Sequence, residues 1–394
     1  MKPIKRLALF LDGSWNDTAD NTNVRRMYDM MALTGKDGVP QLPYYSEGVG
    51  TMRGEEVSGG IWGNGLDEDV RNAYRWLVRN YEQGDEIFLF GFSRGAFTAR
   101  TLCGIISRCG LIYPGAPLSI EQVWKRYGKN REKNDLWLVE RTLETPAKYP
   151  KVELTLEDRR LAECSRRVHI KMIGVWDTVG SMGIPLGNFP FIGKQEFRFH
   201  NTNPSKLMRN GFHAMALDEH RLHFDVTMWN KFVPKIPAAP LPNAQPDPKI
   251  EQRWFAGAHS NVGGGIANSY MAQVPLQWIQ QKADGLGLKF KHLIELGGDE
   301  HLADIHQSVS GLFKLLQLGK IFDRILAPKP IEKIGGKADG TVHPINVTID
   351  RTVFDRWHRD DSYRPAPLVK WLAENAVDVQ TIHHDVNAIA GGVI

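Results

Sequence analysis

The chain has 394 residues, 24% of them charged and 42% hydrophobic, with 49 Lys and Arg against 45 Asp and Glu for a net charge of +4. That length can bury a large core in one decorated domain or in two or three smaller ones. A positive excess so slight, without a dense Lys/Arg block, does not suggest a nucleic-acid binder, and none is expected; it is weak evidence for attraction to anionic lipid headgroups.

No uninterrupted apolar stretch is long enough to span a bilayer. Lys2, Lys5 and Arg6 precede only Leu7 to Leu11, which is shorter than a signal-peptide apolar region and reads as a first strand. Cys103, Cys109 and Cys164 form neither an even disulfide framework nor a metal-like spacing. The protein is therefore expected to be made in a reducing cytoplasm, and any export would dispense with a signal peptide.

The first strand ends in Asp12-Gly13-Ser14-Trp15-Asn16. An aspartyl-phosphate phosphatase carries Asp-x-Asp-Gly at such a strand end, but Phe10 stands where its nucleophile belongs. The competing reading gives backbone N–H groups near Gly13 half of an oxyanion hole, with the Asp12 side chain holding the turn. Tyr44 to Thr51 reads as a strand entering a glycine-rich loop that lacks the lysine and serine of a phosphate loop. Leu66 to Tyr81 has helical spacing and Gly84 stops it.

Glu86-Ile87-Phe88-Leu89-Phe90 is a buried-strand run that enters Gly91-Phe92-Ser93-Arg94-Gly95, and a helix follows from Ala96 to about Arg108. Strand, Gly-x-Ser-x-Gly and helix in that order are the nucleophile elbow, which exposes one serine hydroxyl above the sheet. Side chains at either glycine would collide with the closing turn, and the helix N-terminus favours developing negative charge. Ser93 is the candidate nucleophile.

Residues 111–167 are charged and aromatic without a strand-like run, which suggests a helical insertion. Val168 to Trp176 reads as a strand delivering Asp177 at its carboxyl end, where ligand crevices of open α/β sheets lie. Asp177 is the candidate triad acid. His213 to His223 is read as a helical stretch dense in titratable groups; His220 and His223 could share one face around a metal, but no third ligand is suitably spaced. Prolines between Pro234 and Pro248 mark a surface loop, so residues 183–249 are expected to form a helix and Pro-rich insertion. Ile250 to Phe255 then reads as a strand entering the glycine-flanked loop of His259, a histidine free to rotate towards a neighbouring strand end. With Ser93 and Asp177 upstream it completes the order Ser, Asp, His, and His259 is the candidate general base.

The last third is read as covering elements over residues 300–394. Leu312 to Leu326 forms an amphipathic helix pattern that suits a core cover or a membrane surface, and Thr341 to Pro344 and Tyr363 to Pro365 read as loops. Helix–strand–helix alternation predicts a single α/β-hydrolase-like domain over 1–394, with a mostly parallel central sheet, flanking helices and helical insertions. No cofactor and no metal are expected.

Several segments together resemble one family, the catalytic domain of type VI secretion lipase effectors. They are Phe10 to Asn16, Gly48 to Thr51, Gly84 to Ala96, Gly174 to Gly180, Ala216 to Glu219 and Trp254 to His259. The resemblance implies a triad on Ser93, Asp177 and His259 in a phospholipase that degrades membranes of rival bacteria, carried by a secretion apparatus and neutralised by an immunity protein. The chain departs from the family pattern at Ser14, often Thr, and at Asn261, where an Asp is common. The expected mechanism is ester hydrolysis through an acyl-enzyme, with the oxyanion held by the backbone N–H groups of Arg94 and Gly13. The alternatives are an esterase on soluble acyl esters and a non-catalytic interaction module of the same fold.

Overall fold

The computed structural model describes residues 4–13, 21–48, 61–129, 135–179, 204–235, 247–267, 269–309, 320–333 and 339–390. Expectations that fall on the rest, such as Ser14 to Asn16, the glycines between 49 and 60, and Leu312 to Leu316, lie outside the described residues. Eight strands make the main sheet: β1 (Arg6–Leu11), β2 (Gln41–Ser46), β3 (Glu86–Phe92), β6 (Ile170–Trp176), β7 (Asn210–Ala216), β9 (Lys249–Phe255), β12 (Val347–Ile349) and β13 (Val386–Ala390). Their order across the sheet is β13-β12-β9-β7-β6-β3-β1-β2. Every pairing is parallel except the last one at the edge, β12 with β13.

Side-chain alternation sorts the strands onto two cores. Leu7, Leu9, Leu11, Ile87 and Leu89 face one side, with helices α2 (Ile61–Asn80) and α3 (Arg94–Cys109) packed there; Ala8, Phe10, Phe88, Phe90 and Phe92 face the other, under α1 (Asn23–Met30) and α8 (Gln273–Gly285). Period-two alternation of buried residues on both faces is what a parallel sheet covered by helices on both sides requires. A third core, with Met215, Trp254, Val347, Ile349 and Phe354, joins the C-terminal third to the sheet.

Within 111–167 stand three helices, α4 (Ile120–Lys129), α5 (Leu136–Glu144) and α6 (Leu156–Cys164). The sequence shows no strand there, yet β4 (Leu111–Ile112) and β5 (Ser165–Arg166) pair antiparallel at the base of this excursion. Cys103 and Cys109 are buried on α3, and Cys164 is buried at the end of α6.

Two helical expectations are corrected. The His213 to His223 stretch is not a helix: residues 210–216 form β7, fully inside the sheet between β6 and β9, and only a short 3₁₀ turn follows at Leu222–Phe224. The run Phe212-His213-Ala214-Met215-Ala216 is buried on both faces, so it shows no alternation, and its Ala and Met residues suggest helix until neighbouring strands decide otherwise. Residues 320–326 of the amphipathic stretch are not helical either; Phe322 N–H bonds the His220 carbonyl at 3.2 Å and Leu326 is buried. A third correction is Thr341 to Pro344, which belongs to β11 (Gly340–Pro344), flanked antiparallel by β8 (Asn230–Pro234) and β10 (Ile331–Lys333) in a small second sheet.

Candidate active site

β3 runs directly into α3 through Ser93, whose φ of 57° and ψ of −121° are strained for a residue with a side chain. The turn closes so tightly that a Cβ at Gly91 would sit 2.4 Å from the Gly95 carbonyl oxygen, and one at Gly95 would sit 2.1 Å from that of Leu11. Both positions are glycine because no side chain fits. Ser93 N–H donates to the Trp176 carbonyl at 3.1 Å, which ties the elbow to the end of β6.

Asp177 follows Trp176 with a φ of 37°, and its N–H donates to the Ala214 carbonyl of β7 at 2.7 Å. β7 is thus the strand that fixes the acid. Ala216 N–H donates to Asp177 Oδ1 at 2.9 Å, so β7 holds both the backbone and the carboxylate.

His259 opens a short helix, α7 (His259–Gly263), and is not the freely rotating loop histidine expected. The residue is 5% exposed, and its ring lies against Phe92, 4.6 Å between centroids, with Phe224 edge-on at 5.1 Å. Its backbone N–H donates to Glu219 Oε2 at 3.2 Å. Asn261 braces the same loop: its Oδ1 accepts from Ala258 N–H at 3.1 Å and His306 N–H at 2.8 Å, while Nδ2 donates to the Asp304 carbonyl at 3.2 Å. An aspartate could not make that last bond.

From three strand ends the chain brings together Ser93, His259 and Asp177. Ser93 Oγ and His259 Nε2 are 2.9 Å apart, and His259 Nδ1 and Asp177 Oδ2 are 2.5 Å apart. Burial works against ionised Asp177, but the Arg324 guanidinium and His259 overcome it and hold the carboxyl well below the usual carboxylate range. Burial also dominates at His259 and sets its pKa below 6.5 despite the attraction of Asp177, so the imidazole is neutral at pH 7. A neutral imidazole between a hydroxyl and a carboxylate can accept the hydroxyl proton.

The proposed oxyanion donors differ in their surroundings. Arg94 is the first residue of the sixteen-residue α3, at the positive end of the helix dipole. Gly13 N–H is engaged at 2.7 Å by Oδ1 of Asp12, whose Oδ2 accepts from Tyr45 Oη at 2.9 Å and from the Thr22 hydroxyl. Asp12 therefore ties Gly13, Thr22 and Tyr45 together at the end of β1, where the Leu11 and Asp12 carbonyls close on Gly95 of the elbow.

His220 Nδ1 lies 3.3 Å from Asp323. Among the described residues no group of three His, Cys, Asp or Glu side chains is placed to hold a metal, and no helix is long and apolar enough to cross a membrane. Arg324 and Glu219 touch the triad without having been assigned a role from sequence. Glu219 stands in the family-like segment Ala216 to Glu219, whereas nothing in the sequence around Arg324 distinguishes it from a surface arginine.

Residues 5–282 match the family model described as T6SS phospholipase effector Tle1-like, catalytic domain. Among curated proteins, an uncharacterized protein of Saccharomyces cerevisiae is 26% identical over 254 residues, a match covering 59% of this chain and 34% of that protein. Among solved structures, an uncharacterized Pseudomonas aeruginosa protein aligns with a TM-score of 0.41 and 14% identity over 74% of this chain and 48% of that one. The Tle1 effector bound to the VgrG spike of the type VI secretion system aligns with a TM-score of 0.34 and 16% identity, covering 67% and 51%. A Thermogutta terrifontis esterase aligns at 0.31 and 13% identity, covering 75% and 85%. This chain thus spans about a third of the yeast relative and about half of each of the first two structures.

Proposed function

Since the chain belongs to the catalytic-domain family of Tle1-like type VI secretion phospholipase effectors, we propose that it hydrolyses carboxylic esters of membrane phospholipids through an acyl-enzyme on Ser93. The observation that carries this reading is the continuous path from Ser93 Oγ through the imidazole of His259 to Asp177, at 2.9 and 2.5 Å. His259 Nε2 takes the hydroxyl proton as Oγ attacks the ester carbonyl, and Asp177 orients the ring and stabilises the imidazolium. Collapse of the tetrahedral adduct expels the alcohol, which receives that proton from His259. Water activated by the same imidazole then attacks the acyl-serine and releases the fatty acid.

The oxyanion is held by the Arg94 N–H and by Gly13, whose N–H exchanges the Asp12 carboxylate for the substrate oxygen. Losing one such donor typically costs about 3 kcal/mol of transition-state stabilisation. We propose further that the protein acts as an effector of the kind the family's description names, with a protein of the secretion apparatus as carrier and an immunity protein as antagonist.

Mixed phospholipid vesicles incubated with wild type and Ser93→Ala test the proposal. Wild type is expected to release fatty acid, and Ser93→Ala to lower turnover by about a million-fold. Hydrolysis of a short soluble ester without release from vesicles would assign an esterase instead. A folded wild type that a fluorophosphonate probe fails to label would refute the serine mechanism and leave an interaction module.

A further inference from the structure

The carboxylate of Asp177 meets a cation as well as the histidine. Arg324 Nη1 lies 2.6 Å from Oδ1 and Nη2 lies 3.0 Å from Oδ2, with the guanidinium side chain only 3% exposed. The same fork donates to the Ala216 carbonyl at 2.7 Å and to the Phe224 carbonyl. Together with Ala216 N–H on Oδ1 and His259 Nδ1 on Oδ2, each carboxylate oxygen has two partners. A planar two-point grip of this kind fixes a carboxylate in rotation as well as in place.

The segment that carries Arg324 is itself anchored on both sides. Trp254 Nε1 donates to the Leu326 carbonyl at 2.9 Å, and Phe322 N–H holds His220. Arg324 stands 147 positions from Asp177 and beyond residue 282, where the family match stops.

We propose that Arg324 is a positioning residue for the reaction: its fork locks the rotation of Asp177, and its charge sets the pH range over which His259 rests uncharged. This inference depends on the triad reading of Ser93, Asp177 and His259. The charged groups facing His259 are Asp177, Glu219 and Arg221, and Arg324 acts on it through the Asp177 carboxylate that both hold; those facing Arg324 are Asp177, Glu219 and Asp225. His213, held neutral by burial, adjoins Asp177 without contributing charge. Without the Arg324 cation the cluster becomes more negative, and the imidazolium is favoured at higher pH. Asp177 also loses two of its four contacts, and the ring it orients loses definition.

The test measures the rate of Ser93 labelling by a fluorophosphonate as a function of pH, in wild type, Arg324→Met and Arg324→Lys, with folding followed by thermal melts. Arg324→Met is expected to label about tenfold more slowly at the plateau, with its acid limb moved up by about one unit. Arg324→Lys keeps the charge but not the fork, so its plateau falls while its limb stays near that of wild type. A folded Arg324→Met with an unmoved limb overturns the inference alone, as does a lysine variant whose limb moves equally far. Should the methionine variant fail to fold, the lysine variant decides: a lowered plateau on an unmoved limb supports the role, and a wild-type plateau refutes it. A wild type that labels at no pH refutes the triad reading, and this inference with it.

Discussion

Replacing Gly95 by alanine puts one methyl group into the tightest contact of the elbow. The added Cβ would lie 2.1 Å from the Leu11 carbonyl oxygen, 2.5 Å from that of Asp12 and 2.6 Å from the Leu11 carbonyl carbon. Ordinary carbon–oxygen contact begins near 3.3 Å, so the shortfall is about 1.2 Å. The obstructing atoms are backbone at the end of β1, which is laddered on one side to β2 and on the other to β3, and no rotamer change can relieve them. Either β1 or the elbow must move by about 1 Å. Overpacking of this severity costs about 3 kcal/mol. For 394 residues the unfolding entropy is about 0.8 kcal/mol/K, which makes the loss about 4 °C in Tm. A 1 Å displacement of the nucleophile lowers reactivity by about a hundredfold.

Melting curves and the rate of fluorophosphonate labelling measure the two effects separately. Gly128→Ala is the internal contrast: it lies in the last turn of α4, nothing stands within 4 Å of the added carbon, and alanine there should melt no lower than wild type. A Gly95→Ala protein that melts within about 1 °C of wild type and labels at the wild-type rate would refute the close-approach argument.

Other outcomes follow from the same geometry. The folded pKa of His259 is depressed below 6.5, so the base is present at neutral pH and lost as pH falls through that lower value; kcat/KM for ester hydrolysis should show an acid limb with its midpoint below 6.5. Asp177→Asn cannot orient the imidazole and leaves Arg324 without its carboxylate, so turnover should drop about 10⁴-fold and stability by about 3 kcal/mol in denaturant titrations. Ser93→Gly removes the side chain from a backbone with φ of 57°, and this inactive variant should unfold at least as late as wild type in a thermal scan. Burial pushes the Cys103 and Cys109 thiols up to about 12, so a thiol reagent at pH 8 should modify them only after unfolding.

The elbow could be read in the sequence because each of its parts is local: a seven-residue strand apolar from Ile87 on, two glycines with no room for Cβ, and a helix starting right after Ser93. Asp177 and His259 followed because both stand at the ends of strands rich in buried residues. β7 could not be read, since a strand covered on both faces carries no alternation and its Ala-Met-Ala content imitates a helix. β12 and the edge strand β13 are three and five residues long, too short to impose a pattern. Arg324 presents the hardest case. Its partner is 147 residues away, and its chemistry exists only once the segment 320–326 lies against the sheet.

The position of β12 bears on how members of this family can be cut and recombined. The matched region ends at residue 282, yet β9, inside it, has Val347 to Ile349 as its neighbouring strand, and Trp254 packs with Val347, Ile349 and Phe354. A fragment trimmed to that boundary would bare an unzipped strand edge and an indole-sized greasy surface, the usual recipe for self-association. Swapped modules should therefore carry the stretch through residue 390 with them, as one inheritable cassette.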